Sequence, residues 1–174
     1  MMSGLYVIPL SGLKEGRYSY DFEIGNKFFE QFEGSEIEEG ELHSNIDLEK
    51  RSSHIDLRIR ITGSVMISCD RCLDVFSQPL VCENRIVIKY GSIPDDNDPD
   101  LITISPDENE LDLKQYLYEF IHLALPIQRI HPDDQYGRST CNPEMLKKID
   151  EHVEHIEQDS DPRWDELKKL MNNN

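Results

Sequence analysis

Cations are scarce in this sequence: 18 Lys and Arg stand against 35 Asp and Glu, for a formal net charge of −17. Coating a phosphate backbone or an anionic lipid surface takes Lys and Arg to displace condensed counterions, so broad contact with either is disfavoured. The same surplus attracts basic partners and speeds their encounter. No apolar run approaches the roughly 18 residues of a membrane span. The opening MMSGLYVIPLSGLKEG has neither the basic start nor the long apolar stretch of a secretory signal. With four cysteines and no such signal, reduced thiols or metal ligands are expected rather than disulfides, in a cytoplasmic setting. P-loop, dinucleotide-binding, nucleophile-elbow and H-E-x-x-H motifs are all missing, so nothing points to an enzyme.

The first half carries period-2 patterning. Tyr18, Tyr20, Phe22 and Ile24 alternate, as do Leu42, Ser44, Ile46 and Leu48. The longest alternation runs Ile55, Leu57, Ile59, Ile61, Gly63, Val65, Ile67, a half-buried strand. Leu80, Cys82, Ile86 and Ile88 suit a returning strand, with Ile102 and Ile104 a possible further one. NKFFEQF reads as a short helix capped by Asn26. The expected class is α+β, with an antiparallel, partly barrel-like sheet packed by a central helix and followed by C-terminal helices.

Residues 93–110 hold seven acids and no Lys or Arg, an exposed acidic connection. Asp112, with Gln115 in a capping-box-like place, opens a helix through Leu113, Tyr116, Leu117, Phe120, Ile121 and Ala124, stopped by Pro126. After a polar loop, Asn142 and Pro143 begin a helix with Met145, Leu146, Ile149, Val153 and Ile156 as its stripe. DPRWDELKKLM reads as a last helix, with Trp164, Leu167, Leu170 and Met171 on one face. The division expected is a β-rich domain with its covering helix at 1–142 and a helical appendage at 143–174.

Cys69 and Cys72, in ISCDRCLDVF, fall in the turn between two strands. Their C-x2-C spacing supplies half a tetrahedral zinc site, and His131 and Cys141 in the later loop are the candidates to complete it. The alternatives are a metal-free turn and a redox dithiol. Redox chemistry is disfavoured, because the pair follows a strand rather than opening a helix and lies beside Asp70 and Asp74. Cys82 reads as a core residue, and His152 and His155 as part of a solvated helix face.

CDRCL in a strand-to-strand turn, the helix LDLKQYLYEFIHLALPI, a cysteine-bearing loop and DPRWDELKKL together resemble the YceD family, the large ribosomal RNA subunit accumulation proteins. The resemblance runs from about Ile55 onward. It implies a non-enzymatic role in making, processing or stabilising large-subunit ribosomal RNA, and many relatives carry a second cysteine pair after the ALP helix. Here Cys141 alone remains, with His131 as the possible substitute.

The acidic surface is then expected to meet a basic ribosomal protein or assembly factor, through Asp95–Glu110 and the terminal helices, with Arg163 and Trp164 as anchors. Their alternative is packing within the chain. Direct RNA binding is the second reading: strand parity puts Arg58 and Arg60 on the polar sheet face, with Arg85 and Lys89 beside them. Those arginines could equally pair with acids such as Asp56.

Overall fold

The computed structural model describes residues 6–91, 101–105 and 107–153. In chain order these form β1 (Val7–Pro9), β2 (Gly16–Ile24), α1 (Asn26–Phe29), β3 (Gly40–Lys50), β4 (His54–Ser68), β5 (Val75–Tyr90), β6 (Leu101–Ile104), β7 (Glu110–Asp112), α2 (Lys114–Leu123) and α3 (Pro143–His152).

Alternation in β4 does what its parity demands. Ile55, Leu57, Ile59, Ile61, Val65 and Ile67 are buried on one face, joined by Leu42, Ile46 and Leu48 of β3 and Leu80, Ile86 and Ile88 of β5. Leu117 and Ile121 of α2, with Phe28 and Phe29 of α1, complete the same core. Each such side chain contributes about 1.5–3 kcal/mol by leaving water. The other sheet face stays in solvent, carrying His43, Asp47, Arg58, Arg60, Glu83 and Arg85.

The barrel-like expectation is wrong. The five-stranded sheet has the order β2-β3-β4-β5-β6 and is open, with β2 and β6 as its edges. β2 through β5 are antiparallel neighbours, but β6 runs parallel to β5, so the sheet is mixed. The short β1 pairs with β7 in a separate ribbon, so neither closes the larger sheet. One covered face and one wet face is the arrangement that a half-apolar strand such as β4 requires.

Three local expectations meet different fates. Gly25, not Asn26, is the N-cap of α1, because the Asn26 side chain accepts from Gly40 N at 3.1 Å instead. Asp112 does accept from Lys114 N at 2.8 Å, yet Gln115 reaches Glu119 at 2.8 Å rather than turning back, so no capping box closes. Asn142 caps α3 by accepting from Glu144 N at 3.0 Å, with Pro143 at the helix start. Met145 and Leu146 of α3 are half-buried against the core, whereas Ile149 and Val153 are exposed. Ile156 and the helix expected over 161–171 lie outside the described residues.

Candidate metal centre

The β4–β5 hairpin is the longest feature of the molecule, paired without interruption from His54↔Lys89 to Ser68↔Val75. Residues 69–74 form its tip. Cys69 N donates to Asp74 O and Leu73 N donates to Cys69 O, both at 2.9 Å. Closing so tight a turn forces Leu73 to φ +64°, where a Cβ is unfavourable. This turn aims both cysteine side chains inward: Cys69 is fully buried and Cys72 nearly so.

The loop after α2 crosses this tip and is fastened to it. Asp70 N donates to Arg129 O, and Arg129 N donates to the Asp70 carboxylate, each at 2.7 Å. Farther along, the Asn142 amide donates to Asp74 at 3.2 Å, and Thr140 Oγ1 donates to Pro132 O at 2.7 Å. The His131 ring packs on Phe76 with centroids 4.6 Å apart. Clamped at both ends, the loop delivers His131 and Cys141 to the two knuckle thiols.

Cys69, Cys72, His131 and Cys141 converge, with one ligand atom from each lying within 4.8 Å of all the others. Cys69 Sγ is 3.8 Å from Cys141 Sγ, Cys72 Sγ is 3.5 Å from His131 Nδ1, and Cys141 Sγ is 3.8 Å from the same nitrogen. Zinc–sulfur bonds of about 2.3 Å and zinc–nitrogen bonds of about 2.0 Å make tetrahedral edges of roughly 3.5–3.8 Å. Three sulfurs and one imidazole at these separations fit a structural Cys3His zinc site.

The electrostatics suit the same ion. Burial would raise the Cys69 thiol, but backbone N–H groups of Cys72, Arg71 and His131 and the His131 ring point at its sulfur and bring it to about 6. For Cys141, the Ser139 hydroxyl pulls downward, while burial and the neighbouring Cys69 and Cys72 sulfurs push the thiol up on balance. Crowded thiols of this kind resist ionising together unless a cation joins them, which is what a divalent metal does.

The other sequence candidates are not brought to this place. Cys82 is half-buried in β5, its thiol 3.9 Å from Phe120 O and raised by burial. His152 is exposed and bonds Lys148 O at 2.8 Å, while His155 lies outside the described residues. Arg58 and Arg60 stand on the solvent face of β4, both beside Glu83, at 3.7 and 2.9 Å. Arg163 and Trp164 lie outside the described residues. Sequence reasoning missed the Asp70–Arg129 fastening. Asp70, placed between two cysteines, carried a faint signal for it, but Arg129 carried none, since the pair is 59 residues apart.

The family model for the large ribosomal RNA subunit accumulation protein YceD matches residues 57–171. The chain belongs to this family. The match takes in all four candidate ligands, the β4–β5 hairpin from Leu57 onward, α2 and α3. Among curated proteins and among solved structures, nothing matches. YceD proteins are non-catalytic accessory factors. No helix among the described residues is long and apolar enough to cross a membrane.

Proposed function

We propose that this chain supports the synthesis, processing or stability of large-subunit ribosomal RNA by binding a basic ribosomal protein or assembly factor, rather than by coating the RNA. The family match supports the ribosomal setting, and the charge of −17 supports the kind of partner. The observation that carries the choice is the pairing on the wet sheet face. Arg58 and Arg60 meet Glu83, Arg85 meets Asp56, and Arg17 and Arg51 meet Glu49. Arginines that already share carboxylates on this face would have to give up those partners to bind phosphate, which weighs against the direct RNA-binding reading.

In this reading zinc, held by Cys69, Cys72, His131 and Cys141, is structural. When bound, it ties the hairpin tip to the loop and fixes how α3 leaves the core. Burial of its three cysteine ligands supports a rivet over a redox dithiol, because thiol exchange needs an accessible sulfur. Residues 143–174 act as an appendage whose Arg163 and Trp164 anchor the partner.

The test is affinity capture with the full chain from a cell extract, followed by identification of bound proteins and quantification of precursor ribosomal RNA. Recovery of a basic large-subunit protein or assembly factor, persisting after nuclease treatment, is expected. Recovery that disappears with nuclease would move the account to direct RNA binding.

A further inference from the structure

The two edges of the open sheet differ in kind. β6 is four residues long, whereas β2 offers nine, Gly16–Ile24. All of them pair with β3 in unbroken register, from Gly16↔Lys50 to Ile24↔Leu42, so no bulge turns the strand away. Among the described residues no strand lies on its other side. Edges are ordinarily blunted by Pro, Lys, bulges or shortness, because their unpaired N–H and C=O groups template further pairing. The strand GRYSYDFEI contains neither Pro nor Lys. At one end Tyr6 Oη donates to Glu23 O at 3.0 Å, which leaves that carbonyl a second lone pair.

This strand is its own complement. Laid antiparallel on a second β2 about Tyr20, its middle residue, Arg17 faces Glu23, Tyr18 faces Phe22, Ser19 faces Asp21 and Tyr20 faces itself. Facing residues share parity, so each pair emerges on one face of the sheet. The charged pairs fall on the wet face and the aromatic pairs on the covered one. Arg17 and Glu23 are free to reach outward, with side chains 83% and 82% exposed and only surface contacts to Glu49 and His43. Such exposed contacts hold a side chain weakly. Tyr18, Tyr20 and Phe22 are only partly buried against the core, so a facing aromatic row would cover more of each. A slip of two residues shortens the ladder, and in one direction it also sets Asp21 against Asp21.

We propose that two copies of this chain join edge to edge through β2, antiparallel and centred on Tyr20, to make one sheet across a two-fold axis. A contact of this kind uses the same strand on both copies and closes on itself, giving a dimer and not a filament. A second copy suits this edge better than a wholly basic segment. Arg17 calls for an acid and Glu23 for a base, and β2 itself supplies both in antiparallel order. One strand pair is a small interface, and the charge of −17 on each copy opposes approach, so the dimer is weak and reversible. The proposal is independent of the ribosomal reading. β2 precedes residues 57–171, so the family match does not assign this edge.

The test is sedimentation velocity on the full chain from about 10 to about 500 μM, a range that spans a weak dimer. Salt of about 0.15 M screens repulsion beyond about 8 Å and leaves contact pairs in place. The mass should move from one chain towards two as concentration rises. Arg17→Glu and Glu23→Arg each set like charges against one another twice across the axis, and each should weaken the dimer about tenfold. Combining them in one chain should restore it to within about threefold of the unaltered protein. Hydrogen exchange on the unaltered chain gives a reading that needs no variant: amides of β2 should slow with concentration, and those of β6 should not. A single-chain mass throughout, a dimer indifferent to both single substitutions, or β2 exchange independent of concentration would each overturn the proposal. A chain that stays single, yet loses a captured protein on Arg17→Glu, would give the edge to another protein's strand and overturn it equally.

Discussion

Asp70 and Arg129 are joined twice, backbone to backbone and carboxylate to backbone, with both bonds at 2.7 Å. Through this pair the tip of the longest hairpin grips the loop that carries His131 and Cys141. An outer fastening of this kind orients ligands without touching a metal. Asp70→Ala should therefore lower metal affinity about tenfold and cost about 1 kcal/mol of stability. Chelator competition and urea unfolding read the two effects. Unchanged affinity would show that the loop is positioned without Asp70.

A second prediction concerns Gly63, at φ +141° in the middle of β4. A Cβ there would lie 2.2 Å from Glu41 O and 2.8 Å from Leu42 Cα, atoms of the neighbouring strand's backbone that cannot swing aside. Gly63→Ala should destabilise the protein by about 3 kcal/mol. A urea midpoint equal to that of the unaltered chain would contradict the register of β3 on β4.

Leu73 presents the converse case. It sits in the left-handed region at φ +64° and is 68% exposed, so its side chain contributes little by burial. Leu73→Gly removes an αL penalty of about 1–2 kcal/mol and adds a smaller chain-entropy cost. A net gain of about 0.5 kcal/mol is expected in thermal or urea unfolding, with metal binding retained. A clear loss of stability would mean that the leucine packs on something essential.

These particulars show what the sequence could and could not disclose. The alternation from Ile55 to Ile67 carries its own strand, because burial on one face leaves a period of two in the residues themselves. Asn142 and Pro143 likewise announce α3, since capping is a local interaction. The parallel pairing of β6 with β5 leaves no such mark, because Ile102 and Ile104 suit either direction, and the barrel-like expectation fails there. Asn26 looked like a cap, but its amide is taken by Gly40 across 14 residues. At the candidate metal centre the residues that converge were legible from soft sulfur and imidazole chemistry. Their fastening by Arg129 and Asn142 was not, since both contacts are long-range. The arginines of β4 were correctly placed on the polar face, and only their register against β5 reveals that both share Glu83 as an ion-pair partner.

His43 offers a pH-dependent test. Its ring lies 3.0 Å from both Glu23 and Asp21, and the hydrogen bond to Glu23 leads in raising its pKa above the ordinary histidine value. A raised folded pKa means that this contribution to stability is fully present below the unfolded value of about 6.5 and fades as pH rises through the folded one. Proton NMR of the imidazole should show a titration above that reference, falling back towards it when Glu23→Gln and Asp21→Asn are combined. A midpoint unmoved by the double substitution would contradict the pairing.

The most direct test of the account is metal content measured together with thiol count, on protein purified without added zinc. One equivalent of zinc per chain is expected, with Cys82 the one thiol titrated without a chelator, slowly because burial raises it, and the other three released only by chelation. Cys69→Ser should lose the metal. Metal-free protein with four freely titratable thiols would contradict the knuckle and leave ISCDRCLDVF as a turn alone.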